Sequence, residues 1–168
     1  IENWYSSGQY QIETLVFSDG SSLSKAQLNT MGNVVYGTNG ADTLNGFADN
    51  NTLYGYGGND TITDSNGSDT IDGGAGDDVI TDSGSGTNTL LGGEGNDTIT
   101  FGSAGSNTID GGSGNDVIKA ENPYGYTANT LTGGTGNDRI ESGGSADTYL
   151  FNRGDGQDVI RDYDYYSY

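Results

Sequence analysis

Cysteine and histidine are both absent from these 168 residues, and that closes several routes at once. Without cysteine there is no disulfide framework and no thiolate metal site. Without histidine the usual zinc ligand, the commonest general base and most nucleophile-activating pairs are missing, so the composition reads as that of a non-enzyme. Basic residues are scarce: five Lys and Arg stand against 24 Asp and Glu, for a net charge of −19. No basic stripe exists to meet the phosphates of a nucleic acid or an anionic membrane surface. No run of about 18 apolar residues supplies a membrane span. Ile1 to Tyr10 lack the basic start and apolar stretch of a signal peptide. Only 30% of the chain is hydrophobic and 31 residues are glycine, a poor basis for offsetting folding entropy. Composition alone describes a disordered chain, unless something cationic is a stoichiometric part of the fold.

What is present is a repeat. The sequence reads GGAGDDVIT from Gly73, GGEGNDTIT from Gly92, GGSGNDVIK from Gly111 and GGTGNDRIE from Gly133. These fit G-G-x-G-x-D-x-U-x, where U is a large aliphatic residue, the calcium-binding pattern of parallel β-helix repeats. Looser copies are GTNGADTLN from Gly37, GYGGNDTIT from Gly55 and RGDGQDVIR from Arg153. Degraded units lie between them: GFADNNTLY from Gly46, DSNGSDTID from Asp64, DSGSGTNTLL from Asp82, FGSAGSNTID from Phe101, AENPYGYTANTLT from Ala120 and SGGSADTYL from Ser142. Two nonapeptides make one solenoid coil with a turn at each end. The well-formed turns therefore fall on one edge and the degraded turns on the other.

The U positions, Leu44, Leu53, Ile62, Ile71, Ile80, Leu90, Ile99, Ile109, Ile118, Leu131, Ile140, Tyr149 and Ile160, are expected to point into a thin core between two parallel sheets. At roughly 4.8 Å per coil the rod is on the order of 30 Å long. The expected organisation is an N-terminal capping segment over 1–36, a roll over 37–162 and a tail or truncated connection over 163–168. In the cap, Tyr10 to Phe17 alternates like a strand, Ser18-Asp19-Gly20 turns it, and Ser24 to Met31 reads as a short helix with Leu23, Leu28 and Met31 as its apolar side. Trp4, Tyr5, Ile12 and Phe17 are expected to cover the first coil.

The turn chemistry points to a hard cation. Glycines at repeat positions 1, 2 and 4 permit positive φ, so the turn curls and aims carbonyl oxygens at one point. Stacked coils then bring the position-6 aspartates, Asp42, Asp60, Asp78, Asp97, Asp116, Asp138 and Asp158, to about 5 Å from one another along one edge. At that distance bare carboxylates repel by a few kcal/mol at an effective dielectric near 20. Calcium takes 6–8 oxygens and tolerates mixed carbonyl and carboxylate shells, whereas magnesium keeps its waters and zinc or copper prefers nitrogen or sulfur. Five gaps between consecutive turns fit the pattern; a sixth, between Asp138 and Asp158, has Arg153 in place of a glycine. On the other edge position 6 reads Asn51, Asp69, Asn88, Asn107, Asn129 and Asp147, an expected amide ladder, with Asp64 and Asp69 the only hint of further metal. Asn59, Asn66 and Asn96 lie in N-x-S/T triplets that the repeat itself imposes.

The repeats resemble the RTX, or haemolysin-type calcium-binding, family of secreted bacterial proteins. Residues 4–23 (NWY…YQIETLVFSDGSSL, read from Asn3) look like the related segment that often precedes such repeats, and Tyr149 to Asp162 looks like a closing unit. The resemblance implies a right-handed parallel β-roll (β-solenoid) in which the position-6 aspartates and the carbonyls of the glycine-rich turns ligate calcium. Carried onto this chain, it implies as metal ligands Thr38, Gly40 and Asp42; Gly55, Tyr56, Gly57, Gly58 and Asp60; and Gly73, Gly74, Ala75, Gly76 and Asp78. The same transfer gives Gly92, Gly93, Glu94, Gly95 and Asp97; Gly111, Gly112, Ser113, Gly114 and Asp116; Gly133, Gly134, Thr135, Gly136 and Asp138; and Gly154, Gly156 and Asp158. It also implies about five or six calcium ions, export by type I secretion machinery, and folding outside the cell as a module of a larger toxin, adhesin or exoenzyme. The family's C-terminal secretion segment is not in this sequence, so the chain reads as part of a longer protein. A glycan or host-surface ligand, met by Tyr124 and Tyr126, is the competing expectation. Position 3 carries no threonine row, which argues against ice binding.

Overall fold

The computed structural model describes residues 14–16, 18, 20–24, 33–102, 104–121, 127–143 and 146–163. The expected helix from 25 onwards, Trp4 and Tyr5, the loop at Tyr124 and Tyr126 and the tail from 164 lie outside them. The chain divides into two compact units, residues 1–34 and 35–168. In the first, β1 (Thr14–Val16) pairs antiparallel with β2 (Ser22–Ser24). Leu23 and Ser24, expected beside or within a helix, are therefore strand residues.

The other described strands are all paired in parallel. Seven strands follow the well-formed turns: β4 (Thr43–Asn45), β6 (Thr61–Asp64), β8 (Val79–Asp82), β10 (Thr98–Phe101), β12 (Val117–Ala120), β14 (Arg139–Gly143) and β16 (Val159–Tyr163). They form one sheet in that order. The second sheet runs β3 (Val34–Tyr36), β5 (Thr52–Tyr54), β7 (Thr70–Ala75), β9 (Thr89–Glu94), β11 (Thr108–Ser113), β13 (Thr130–Thr135) and β15 (Thr148–Leu150). Alternation between the sheets at every turn makes a β-solenoid. All secondary structure among the described residues is β, and among them no helix is long and apolar enough to cross a membrane.

The register stacks each U residue on its counterparts in adjacent coils: Ile62 on Ile80, Ile80 on Ile99, Ile99 on Ile118, Ile118 on Ile140. From Leu53 to Ile140 these side chains are at most 1% exposed, and burying an aliphatic of this size contributes about 1.5–3 kcal/mol. The last coil differs: Tyr149 is only partly buried and Ile160 is 37% exposed, since no further described coil covers them. Phe101 and Ala120 add to the core from position 1 of their turns.

Candidate metal centre

On the first edge the seven position-6 aspartates form one column. Each N–H of the column donates to the Oδ1 of the next coil: Asp42 to Asp60 (2.8 Å), Asp60 to Asp78 (2.7 Å), Asp78 to Asp97 (2.8 Å), Asp97 to Asp116 (2.7 Å), Asp116 to Asp138 (2.8 Å) and Asp138 to Asp158 (3.0 Å). One oxygen of each carboxylate from Asp60 to Asp158 thus ties two coils together. The other is left over. Oδ2 of Asp60, Asp78, Asp97, Asp116 and Asp138 is buried and has no hydrogen-bond partner. A buried, unpaired carboxylate oxygen carries a substantial desolvation cost. Burial pushes the Asp78, Asp97 and Asp116 carboxyls up to about 6, against the opposing backbone N–H bond and with neighbouring aspartates adding to the rise. Asp138 is raised for the same first reason.

The glycines serve this column in two ways, only one of which was expected. Positions 2 and 4 have positive φ, as at Gly74 (101°) and Gly76 (129°). Position 1 does not; it is glycine because of what lies beside it. A Cβ on Gly73 would sit 2.5 Å from Asp78 Oδ2 and 2.6 Å from the carbonyl oxygen of Gly92 in the next coil. Gly55, Gly92, Gly111 and Gly133 face Oδ2 of Asp60, Asp97, Asp116 and Asp138 in the same way. The absent side chain therefore leaves a cradle lined by a carboxylate oxygen and a carbonyl oxygen. Both are acceptors, so neither satisfies the other.

The flanking turns depart from this. In the first, neither Thr38 nor Gly40 has positive φ, and Asp42 Oδ2 accepts from Thr38 N–H (2.6 Å) and the Thr38 hydroxyl (2.8 Å). Thr38 thus changes the site through its side chain, not only its backbone. In the second, Tyr56 takes φ 72° at position 2, the one positive-φ non-glycine among the described residues. Position-3 carbonyls of Ala75, Glu94, Ser113 and Thr135 each accept the position-4 N–H of the preceding coil, from Gly58, Gly76, Gly95 and Gly114. In the last turn Gly154 and Gly156 keep positive φ while Asp158 is only partly buried.

The second edge repeats the Oδ1 ladder, mostly with asparagine in place of aspartate. Asn51 donates its N–H to Asp69 Oδ1 (2.7 Å), Asp69 to Asn88 (2.8 Å), Asn88 to Asn107 (3.0 Å), Asn107 to Asn129 (3.0 Å) and Asn129 to Asp147 (2.7 Å). The amides were expected to bond mainly to one another. Instead their Nδ2 groups turn to carbonyls of their own turn: Asn51 to Phe47 (2.8 Å), Asn107 to Gly102 (3.2 Å) and Asn129 to Thr127 (3.3 Å), although Asn129 also reaches Asp147 Oδ1 (3.1 Å). An outer column on the first edge runs the opposite way. There Asp77 N–H donates to Asn59 Oδ1 (3.1 Å) and Asn115 N–H to Asn96 Oδ1 (2.9 Å), which gives those asparagines a coil-to-coil task.

Among the described residues no three acidic side chains form a ready-made ion cage. A cation on the first edge would therefore draw on Oδ2 atoms and backbone carbonyls together, a donor set of oxygen alone. That set suits calcium, whose shell is large and irregular.

The comparisons agree with this chemistry. The chain matches the haemolysin-type calcium binding protein related domain over residues 1–27. It matches the RTX calcium-binding nonapeptide repeat in four copies, over 29–62, 54–81, 82–118 and 124–160. No curated protein and no solved structure matches it at a level that supports a comparison.

Proposed function

The chain belongs to the RTX calcium-binding nonapeptide repeat family, and from that premise we propose that calcium sits between successive turns of the first edge as a structural part of the roll. The observation that carries this is the row of five buried Oδ2 atoms without partners, at Asp60, Asp78, Asp97, Asp116 and Asp138. Each faces the space that a position-1 side chain would fill, and four of those spaces also meet a position-1 carbonyl of the next coil. These oxygens would hold the ions, with turn carbonyls completing each shell. About five ions would bring the net charge from −19 to roughly −9. Folding and calcium binding are then one coupled event, since the apo roll keeps its buried carboxylates unpaired.

The chain's role on this reading is structural and non-catalytic: a calcium-gated module of a larger secreted protein, a toxin, adhesin or exoenzyme, exported by type I secretion and folding in extracellular calcium. Affinities of about 10⁻⁴–10⁻³ M, typical of extracellular calcium modules, would suit that switch. A second reading, a glycan-binding surface, is favoured by three parallel rings on the first coils. Tyr36, Tyr54 and Tyr56 stand with centroids 5.8, 6.3 and 6.1 Å apart, and Tyr36 and Tyr56 are more than half exposed. Such a face is suited to stacking on sugar rings.

Circular dichroism during a calcium titration tests the main reading. A disordered spectrum in chelator should convert to a β spectrum with added calcium; a β-rich spectrum in excess chelator would sink it. A glycan array with Tyr36→Ala as control tests the second.

A further inference from the structure

The aromatic cluster on the first coils depends on a residue that the repeat disfavours. Tyr56 stands at position 2 of its turn, where the later turns have Gly74, Gly93, Gly112, Gly134 and Gly154. It holds φ 72°, a conformation costly for a bulky side chain. In the later turns that position is also closed by the neighbouring coil. A Cβ on Gly74, Gly93, Gly112 or Gly134 would collide with the carbonyl oxygen of the position-2 residue one coil back. The coil behind Tyr56 is built differently, since its position-2 residue, Thr38, does not have positive φ. Two neighbouring departures from the repeat thus coincide with one outward ring.

Tyr36 and Tyr54 meet that ring from the second sheet. Val35 and Leu53 belong to the core side of their strands, so alternation turns the two tyrosines outward. The three centroids lie 5.8, 6.3 and 6.1 Å apart, with planes within 17° of parallel. A single stack would put its outer rings twice as far apart as its neighbours. A near-equilateral triangle of parallel rings therefore contains a side-by-side pair and forms a broadened face. Its parallel planes also differ from the walls of an aromatic cage, which surround a cation. Asp72 is the register partner of Tyr54 in the next coil, and it points outward because Ile71 is buried. The described basic residues, Lys119, Arg139, Arg153 and Arg161, all lie in β12 or beyond it. None of them stands on the first coils to meet an anion.

Building on the glycan-face reading, we propose that Tyr36, Tyr54 and Tyr56 select uncharged pyranosides with equatorial hydroxyls, of the β-linked glucan type, with Asp72 accepting from a sugar hydroxyl at the rim. Equatorial hydroxyls leave axial C–H groups on the faces of the sugar ring. That makes an apolar plate, which suits parallel aromatic rings. An ionised carboxylate only accepts hydrogen bonds, so Asp72 suits hydroxyl donors. The same carboxylate, in a chain of net charge −19, repels carboxylated and sulfated sugars. Backbone strain at Tyr56 is retained because it places the third ring on this face.

Isothermal titration calorimetry of the whole chain in calcium tests this, with cellohexaose, a heparin hexasaccharide and a lysine hexapeptide as probes. Cellohexaose should bind, and the heparin fragment should bind roughly tenfold more weakly or less. Tyr56→Gly restores the residue of the later turns, so its β spectrum should persist while cellohexaose affinity falls roughly tenfold. Tyr36→Ala should lower that affinity likewise, and Asp72→Ala should lower it through the lost acceptor. Undiminished cellohexaose binding in folded Tyr56→Gly and Tyr36→Ala would overturn the site. Equal or tighter binding of the heparin fragment would overturn the selection of uncharged sugars and leave a glycan face standing. Binding of neither saccharide would overturn both, and binding of the lysine peptide alone would assign the face to a cationic partner instead.

Discussion

Gly73→Ala separates the metal reading from a purely structural one, because it adds a methyl group and removes no charge. The new Cβ would lie 2.5 Å from Asp78 Oδ2 and 2.6 Å from Gly92 O, well inside the ordinary contact range of 3.4–4 Å. Gly73 does not have positive φ, so the penalty arises from lost space rather than backbone strain. Overpacking of this kind costs about 1–3 kcal/mol with or without calcium. The second term exists only if an ion uses the cradle. An ion present at 100 times its dissociation constant contributes about 2.7 kcal/mol, and the methyl occupies its place. In saturating calcium the two sum to roughly 4–6 kcal/mol, a fall in Tm on the order of 10–20 °C for a chain this size. Thermal melts across a calcium series, with ion counts at each end, read both terms. Gly40→Ala is the control: a Cβ there meets only the Thr38 hydroxyl, at 3.9 Å, and should change Tm by no more than a degree or two. If Gly73→Ala keeps every ion and the same calcium-dependent gain in Tm, the cradle is not where the metal sits.

Two further outcomes follow from the same column. Asp97→Asn should lose calcium yet keep its ladder bond to the Asp78 N–H. Asn107→Ala should leave the ion count unchanged while losing about 1–3 kcal/mol of stability, because the Asn88 N–H and the Gly102 carbonyl lose their partner; equal ion loss from both would refute the difference between edges. In chelator, stability should fall as pH rises. The ordinary aspartate value is 3.8 and burial holds Asp78, Asp97 and Asp116 near 6 and Asp64 near 7, so between about pH 4 and 7 the folded chain keeps protons that the unfolded chain has released. Residual β signal in chelator should therefore be greater at pH 5 than at pH 7.5, and the opposite trend would refute the burial of these carboxyls.

Much of this was legible in the sequence because the repeat ties position to environment. Ile62, Ile80 and Ile99 could be assigned to the core from their place in the nonapeptide alone, and they stack as expected. Asp60 to Asp138 likewise fall in one column. What the pattern could not convey was the task of each atom. Position-1 glycine was expected to supply backbone freedom, but only the neighbouring coil reveals that its missing Cβ makes room. Thr38 looked like a backbone substitution, yet its hydroxyl takes up Asp42 Oδ2. Of the buried second-edge acids, Asp64 and Asp69 were singled out from the sequence and Asp82 was not, although it had a signal. Ile-Thr-Asp-Ser occurs at 62–65 and again at 80–83, which places Asp64 beside Asp82. Reading the degraded units as mere decay obscured it, as it did the burial of Phe101.

The two edges together show why aspartate and asparagine exchange freely at position 6. Oδ1 accepts the neighbouring coil's N–H in either residue, so the backbone registers no difference. Only the second atom changes. In asparagine it is a donor, and at Asn51 and Asn107 it reaches a carbonyl of its own turn, that of Phe47 or Gly102. At Asp60, Asp78, Asp97, Asp116 and Asp138 it is a buried acceptor that no donor reaches. A neutral amide thus satisfies itself where a carboxylate would need a cation or a proton. The ladder that holds the coils together is indifferent to which is used. On the reading proposed above, exchanging aspartate for asparagine at position 6 removes a cation ligand without any change of fold.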